Sequence, residues 1–141
     1  MNIKKNYILE LEELGEPGSR TKLDTSVHPP LVLRLHIIFN YWSGDEIVSC
    51  YPALLVTEKL GASLTSSGVT GFELGEVKIG ISPDFEVLSP KLKLPPFKWL
   101  KILGDAKSDM CMTSDFDLAV SQKAFDVIMA TKPTILEYKE V

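Results

Sequence analysis

The sequence has few of the residues on which many functional sites depend. Its 141 residues include two arginines, two cysteines and two histidines, and acidic residues outnumber basic ones by 19 to 15. Surfaces that follow nucleic-acid phosphates normally carry clustered arginine and lysine, so this composition argues against nucleic-acid binding. No apolar run approaches the roughly 18 residues of a membrane span, and the N-terminal segment lacks the apolar core of a signal peptide. We therefore expect a cytoplasmic protein that binds neither membranes nor nucleic acid.

The motifs of common catalytic and metal sites are also missing. The sequence contains no nucleophile elbow, phosphate-binding loop, dinucleotide fingerprint or zinc-protease pattern. Cys50 and Cys111 form no CxxC pair, which favours free buried thiols over a disulfide or a metal site. His28 and His36 belong to no motif, and we expect both at the surface. Because an enzyme would need a cleft in which His36 meets a carboxylate or Cys50, we predict no catalysis, no cofactor and no metal.

The apolar patterns that are present indicate a single domain of mixed structure, residues 1–141. Alternating apolar and polar residues predict strands at 7–14, 31–39, 47–56, 69–81, 97–103 and 134–141. Helices are predicted at 58–68 and 122–130, with a short helical turn near 85–88, and 15–30 and 104–115 are expected to be irregular connections. The predicted fold class is α+β, with a mixed or mainly antiparallel sheet packed against two or three helices.

Two parts of the chain share a weak internal similarity. A shift of 64 residues places 54–77 on 118–141 without a gap, with seven identities in 24 positions. Thr57 then coincides with Ser121, and both residue types are suited to cap a helix. We expect two strand–helix–strand units of similar pattern, which either descend from a duplication or converged on a common arrangement.

The segment LPPFKWLKILG raises the question of whether its aromatic residues bind a ligand. Its predicted strand has apolar residues on both faces: Phe97, Trp99 and Leu103 on one, Leu100 and Ile102 on the other. That pattern is typical of a strand covered on both sides. We therefore expect these aromatic residues in the core, where they stabilise the fold and do not stack on a ligand.

Two polar segments supply the candidate contact residues for a partner. One is the turn NYWSGDE, in which the tryptophan either anchors an interface or folds back onto the core. The other is an acidic stretch that lacks the ligand spacing of a calcium loop and is either a solvated turn or a negative patch for a basic partner. The candidates are Trp42, Asp45, Glu46, Asp105, Asp109, Asp115 and Asp117.

Three stretches of the chain form a recognisable series: LLVTEKLGASLTSSGVTGFELGEVKIG (54–80), LPPFKWLKILGDAKSD (94–109) and LAVSQKAFDVI (118–128). In this order they resemble a group of small bacterial proteins classed among the immunity proteins of polymorphic toxin systems. The resemblance is strongest over 54–141. The chain departs from the family pattern at SDMCMTSDFD (108–117), where relatives have a plainer acidic stretch.

The resemblance implies a cytosolic protein that binds a cognate toxin domain and blocks it by occlusion, without catalysis of its own. An acidic inhibitor would suit a basic nuclease toxin, because complementary charge accelerates encounter. The alternative is a small ligand-binding or regulatory domain. For that class we would expect a concave apolar pocket with a few converging polar groups.

Overall fold

The computed structural model describes residues 2–28 and 30–141, and its fold is α+β, as expected. Its helices are α1 (Glu58–Ser66), α2 (Pro83–Leu88) and α3 (Gln122–Met129). Its strands are β1 (Tyr7–Glu10), β2 (Glu16–Pro17), β3 (Lys22–Asp24), β4 (Leu31–Arg34), β5 (His36–Phe39), β6 (Ile47–Cys50), β7 (Ala53–Thr57), β8 (Phe72–Gly75), β9 (Lys78–Ile81), β10 (Phe97–Ile102), β11 (Met110–Met112), β12 (Leu118–Val120) and β13 (Glu137–Glu140). No helix in these ranges is long and apolar enough to cross a membrane.

Two four-stranded sheets contain most of the fold and repeat one topology. Their strand orders are β6-β7-β10-β8 and β11-β12-β1-β13. In each sheet a hairpin leads into a helix and then into the strand at the far edge, so the two predicted strand–helix–strand units are present as β6-β7-α1-β8 and β11-β12-α3-β13. The third strand of each sheet comes from elsewhere in the chain: β10 completes the first unit and β1 completes the second.

The registers of the two sheets correspond residue by residue. Leu100 lies opposite Leu74 in the first sheet, and Leu9 lies opposite Tyr138 in the second. Positions 74 and 138 differ by 64, the offset found in the sequence, whereas positions 9 and 100 differ by 91. The first half of the chain therefore holds 27 additional residues, and they form β2 to β5.

The two helices meet over a hydrophobic core that both sheets share. Leu60 and Leu64 on α1 are fully buried, as are Ala124 and Ile128 on α3, each 64 residues further along. Both predicted N-caps are confirmed. The hydroxyl of Thr57 and the hydroxyl of Ser121 each accept a hydrogen bond from the backbone nitrogen three residues later.

The additional segment covers the other face of the first sheet. There β2, β5 and β9 form a three-stranded sheet, while β3 and β4 form a hairpin. The resulting second core contains Phe39 and Phe97. Because Leu100 lies in the core shared by the units, β10 is covered on both sides, as its sequence predicts.

Several element boundaries differ from the sequence prediction. The predicted strand 31–39 is divided between β4 and β5, and 69–81 is divided between β8 and β9, in each case between two different sheets. Residues 15–30 and 104–115 contain the short strands β2, β3 and β11. Strands of two or three residues carry too few apolar positions to produce an alternating pattern, which is why the sequence gives no sign of them.

Candidate functional site

Asp45, a predicted contact residue, fixes the chain just before β13. Its side chain is 1% exposed. Its carboxylate oxygens accept hydrogen bonds from the backbone nitrogens of Thr134, Ile135 and Leu136 at 2.6, 3.0 and 2.8 Å, and from the Thr134 hydroxyl at 3.2 Å. Four donors occupy the accepting capacity of one carboxylate. The expectation that Asp45 belongs to an acidic surface is therefore corrected, because the group is buried and fully used within the fold.

Asp109 occupies the corresponding position in the second unit and is also buried, at 3% exposure. Its carboxylate accepts hydrogen bonds from the backbone nitrogen and hydroxyl of Thr70 and from the hydroxyl of Ser121, and the Lys123 ammonium lies 3.7 Å away. Burial raises the pKa of Asp109, but these hydrogen bonds and the Lys123 charge outweigh it and hold the pKa below its ordinary value. The surface expectation is corrected here as well: Asp109 is a charged structural group.

The turn that precedes β6 uses its predicted contact residues to pack against the core. Trp42 donates a hydrogen bond from Nε1 to the backbone oxygen of Asp45 at 2.8 Å, and its ring meets Phe97 edge-on with centroids 5.8 Å apart. Glu46 is half-buried and accepts a hydrogen bond from the Thr57 hydroxyl at 2.7 Å. Of the two interpretations of this tryptophan, the structure therefore has the one in which the ring folds back onto the core.

The remaining predicted contact residues lie in the acidic stretch after β10. Asp105 and Asp115 are exposed and Asp117 is half-buried. The Asp105 carboxylate closes a local turn by accepting from the backbone nitrogen of Lys107 at 2.8 Å. In the described part of the chain no three histidine, cysteine, aspartate or glutamate side chains are grouped to hold a metal ion.

The histidine and thiol considered for catalysis both serve the fold. His36 is 9% exposed, and its Nδ1 accepts from the backbone nitrogen of Arg20 at 3.2 Å, so the expected surface position is wrong. Cys50 is buried, and burial together with the charges of Glu13 and Glu16 raises its pKa to about 11. Near neutral pH this thiol is protonated, and a protonated thiol is a poor nucleophile.

An apolar groove of about 610 Å³ lies beside β10 and was not foreseen from the sequence. Its walls come from β10 and the residue that follows it, the turn at Pro52, the β3–β4 hairpin and the loop after β11. Leu103 is 66% exposed and Leu31 is 53% exposed, although alternation had placed Leu103 on the core side of its strand. Lys101 is the charged residue in the lining, and its ammonium lies 4.4 Å from the centroid of the Trp99 ring.

Phe116 presents its ring to this groove from an unusual backbone conformation. Its φ is 67°, in the left-handed region that side chains other than glycine rarely adopt. The turn is closed by a hydrogen bond from the Phe116 nitrogen to the Thr113 oxygen at 3.0 Å. The ring meets Tyr51 edge-on, with centroids 5.2 Å apart, and Tyr51 is itself half exposed.

A smaller depression, of about 230 Å³, continues from the groove and differs from it in charge. Both depressions are lined by Leu54, Met112 and Phe116. The smaller one is bordered by the carboxylates of Glu10, Glu13 and Asp117. The groove and this acidic depression therefore form one continuous surface, aromatic and aliphatic at one end and negatively charged at the other. Of the seven predicted contact residues, Asp117 lies on it.

Neither the protein-family models nor the curated proteins with which the chain was compared match it.

Proposed function

We propose that the chain is a cytosolic immunity protein that binds a cognate toxin domain of a bacterial polymorphic toxin system and blocks it by occlusion. The family resemblance supports this proposal. Its three stretches, 54–80, 94–109 and 118–128, provide the strands and helices that the two units share, namely β7-α1-β8, β10 and β12-α3.

The observation that carries the proposal is the continuous apolar and acidic surface. Monomeric proteins rarely leave large contiguous apolar patches in water, and such patches commonly mark sites of protein contact. Tryptophan, tyrosine and phenylalanine are enriched in protein interfaces, where they contribute much of the binding energy. Trp99, Tyr51 and Phe116 all lie at or beside this groove.

The charge of the chain supports a basic partner. Its formal net charge is −4 at pH 7. A nuclease toxin binds phosphates and therefore presents a positive surface, which a negative inhibitor covers with favourable electrostatics and a fast encounter. On this account inhibition needs no chemistry, because an inhibitor seated on that surface excludes the substrate.

A second candidate function is that of a small ligand-binding or regulatory domain. The groove favours it, since 610 Å³ falls within the roughly 300–1,000 Å³ that is typical of small-molecule sites. A metabolite bound there would raise the melting temperature in a concentration-dependent way.

The test begins with co-purification of the tagged full-length chain from its native cell. We expect a toxin domain in equimolar complex, and we expect that equimolar addition of the chain abolishes the activity of the purified domain. An uncomplexed chain that is stabilised by a small molecule, and that leaves the toxin domain of a neighbouring gene active, would favour the second function.

A further inference from the structure

We propose, on the basis of the proposed function, that the groove beside β10 receives an apolar segment of the toxin domain, and that basic residues flanking this segment lie against the acidic depression. The contact surface is then centred on Trp99, Leu103 and Phe116. The NYWSGDE turn, whose aspartate and tryptophan are engaged within the fold, lies outside it.

The first support is the exposure of side chains that gain by leaving water. Leu103 and Leu31 are more than half exposed, and Tyr51 is 46% exposed, around a concave surface and not as isolated residues. A convex surface can lose only part of its hydration to a partner, whereas a groove can enclose an inserted side chain. This shape suits an extended or helical segment that places apolar residues into it.

The second support is that the aromatic residues are held in place before any partner binds. Trp99 packs against the second hydrophobic core and carries the Lys101 ammonium over its ring. Phe116 is fixed by its closed turn and by the edge contact with Tyr51. Side chains that are already ordered lose little conformational entropy on binding, so their contact area contributes more to affinity.

The third support is charge complementarity, which also gives the bound segment a direction. Glu13 accepts one hydrogen bond, from the Ser49 hydroxyl at 2.7 Å. Among the described residues, Glu10 has no side-chain hydrogen bond or ion pair. Together with Asp117 these carboxylates lie at one end of the surface, while Lys101 lies in the apolar part. A lysine or arginine of the toxin is therefore expected at the acidic end.

The chain offers matched controls on another surface. Leu88, on α2, is 70% exposed, close to the 66% of Leu103, but does not line the groove. Glu86 on the same helix is exposed and serves as the partner of Glu10 in a charge-reversal experiment. Because Leu103, Leu88, Glu10 and Glu86 are all exposed, substitutions there are expected to leave the fold intact.

The experiment uses the full chain and, as the probe, the purified C-terminal toxin domain identified and shown to be inhibited under the proposed function. Affinities are measured for wild type, Leu103→Lys, Leu31→Lys and Leu88→Lys, with circular dichroism as the check on folding. We expect the two groove substitutions to weaken binding by about tenfold or more, and Leu88→Lys to stay within about twofold of wild type. Glu10→Lys should slow association and reduce its salt dependence, whereas Glu86→Lys should not.

Amide hydrogen exchange on the complex gives a second readout that needs no variant. We expect protection at residues 99–103 and 112–117 on binding. Wild-type affinity in both groove variants, together with protection elsewhere, would overturn the groove assignment and leave the proposed function standing. A wild-type dimer that Leu103→Lys dissociates without affecting toxin binding would overturn it too, because the occupant would then be a second copy of the chain. If wild type fails to bind or inhibit the toxin domain, the proposed function itself fails.

Discussion

The Asp109 carboxylate accepts hydrogen bonds from both the backbone nitrogen and the hydroxyl of Thr70, at 2.9 and 3.0 Å. Asp45 makes the same pair of contacts with Thr134. Each aspartate and each threonine lies 64 residues from its counterpart, and each pair joins one unit to the other. Convergence on a common strand–helix–strand pattern would not by itself reproduce a reciprocal buried contact at the sequence offset. The structure therefore favours a duplication.

The two carboxylates are expected to be comparable supports of the fold. Asp45→Ala and Asp109→Ala should each lower the free energy of unfolding by about 2–4 kcal/mol, because buried nitrogens and hydroxyls lose their acceptor. Asp115→Ala, at an exposed position, should change it by less than about 0.5 kcal/mol. Urea denaturation followed by tryptophan fluorescence measures all three. A loss below about 1 kcal/mol at either buried site would contradict the structural role given to that carboxylate.

Acid should remove the contribution of Asp109. Its pKa is lower in the folded protein than in the unfolded chain, so its stabilisation is complete above the unfolded value of about 4 and is lost as the pH falls through the folded value. Wild type should therefore exceed Asp109→Asn in stability at about pH 6, and the difference should shrink as the pH falls below about 4. Urea midpoints at several pH values test this. A constant difference would mean that Asp109 does not titrate as a stabilised carboxylate.

Phe116 should separate backbone strain from packing. Both Phe116→Ala and Phe116→Gly lose the ring contact with Tyr51, but only glycine adopts a φ of 67° without steric cost. We expect the glycine variant to be more stable than the alanine variant by about 1 kcal/mol. Thermal and urea unfolding compare them directly, and equal stabilities would show that the positive φ is not maintained in solution.

The two thiols should differ in reactivity. Cys50 is buried with a pKa of about 11, while Cys111 is partly exposed. At about pH 8 a thiol reagent should modify Cys111 first and reach Cys50 only on unfolding, since the thiolate is the reactive form. Mass spectrometry of Cys111→Ser should then find little modification of the folded protein. Rapid labelling of Cys50 in that variant would contradict its burial.

Features that depend on local sequence were predictable. Thr57 and Ser121 cap helices through contacts three residues away, and these signals lie within a single turn. The two-sided burial of β10 follows from apolar residues at both parities of the strand. The fold class and the repeated unit could therefore be read from short windows of sequence.

Features that depend on distant partners were not predictable. Asp45 and Asp109 look like surface carboxylates because their donors lie 89 and 39 residues away in the sequence. Leu103 continues the apolar alternation of β10 but lies just past the end of the strand, so its pattern resembles that of a core residue while its side chain faces water. The groove arises only when β10, the β3–β4 hairpin and the loop after β11 come together.

The most direct test of the account is a survival assay in cells that express the toxin domain. We expect the wild-type chain and Leu88→Lys to restore growth, and Leu103→Lys, folded and expressed to the same level, to fail. Survival that does not depend on the chain, or toxicity that wild type cannot relieve, would contradict the immunity function. Full rescue by Leu103→Lys would instead contradict the groove as its site.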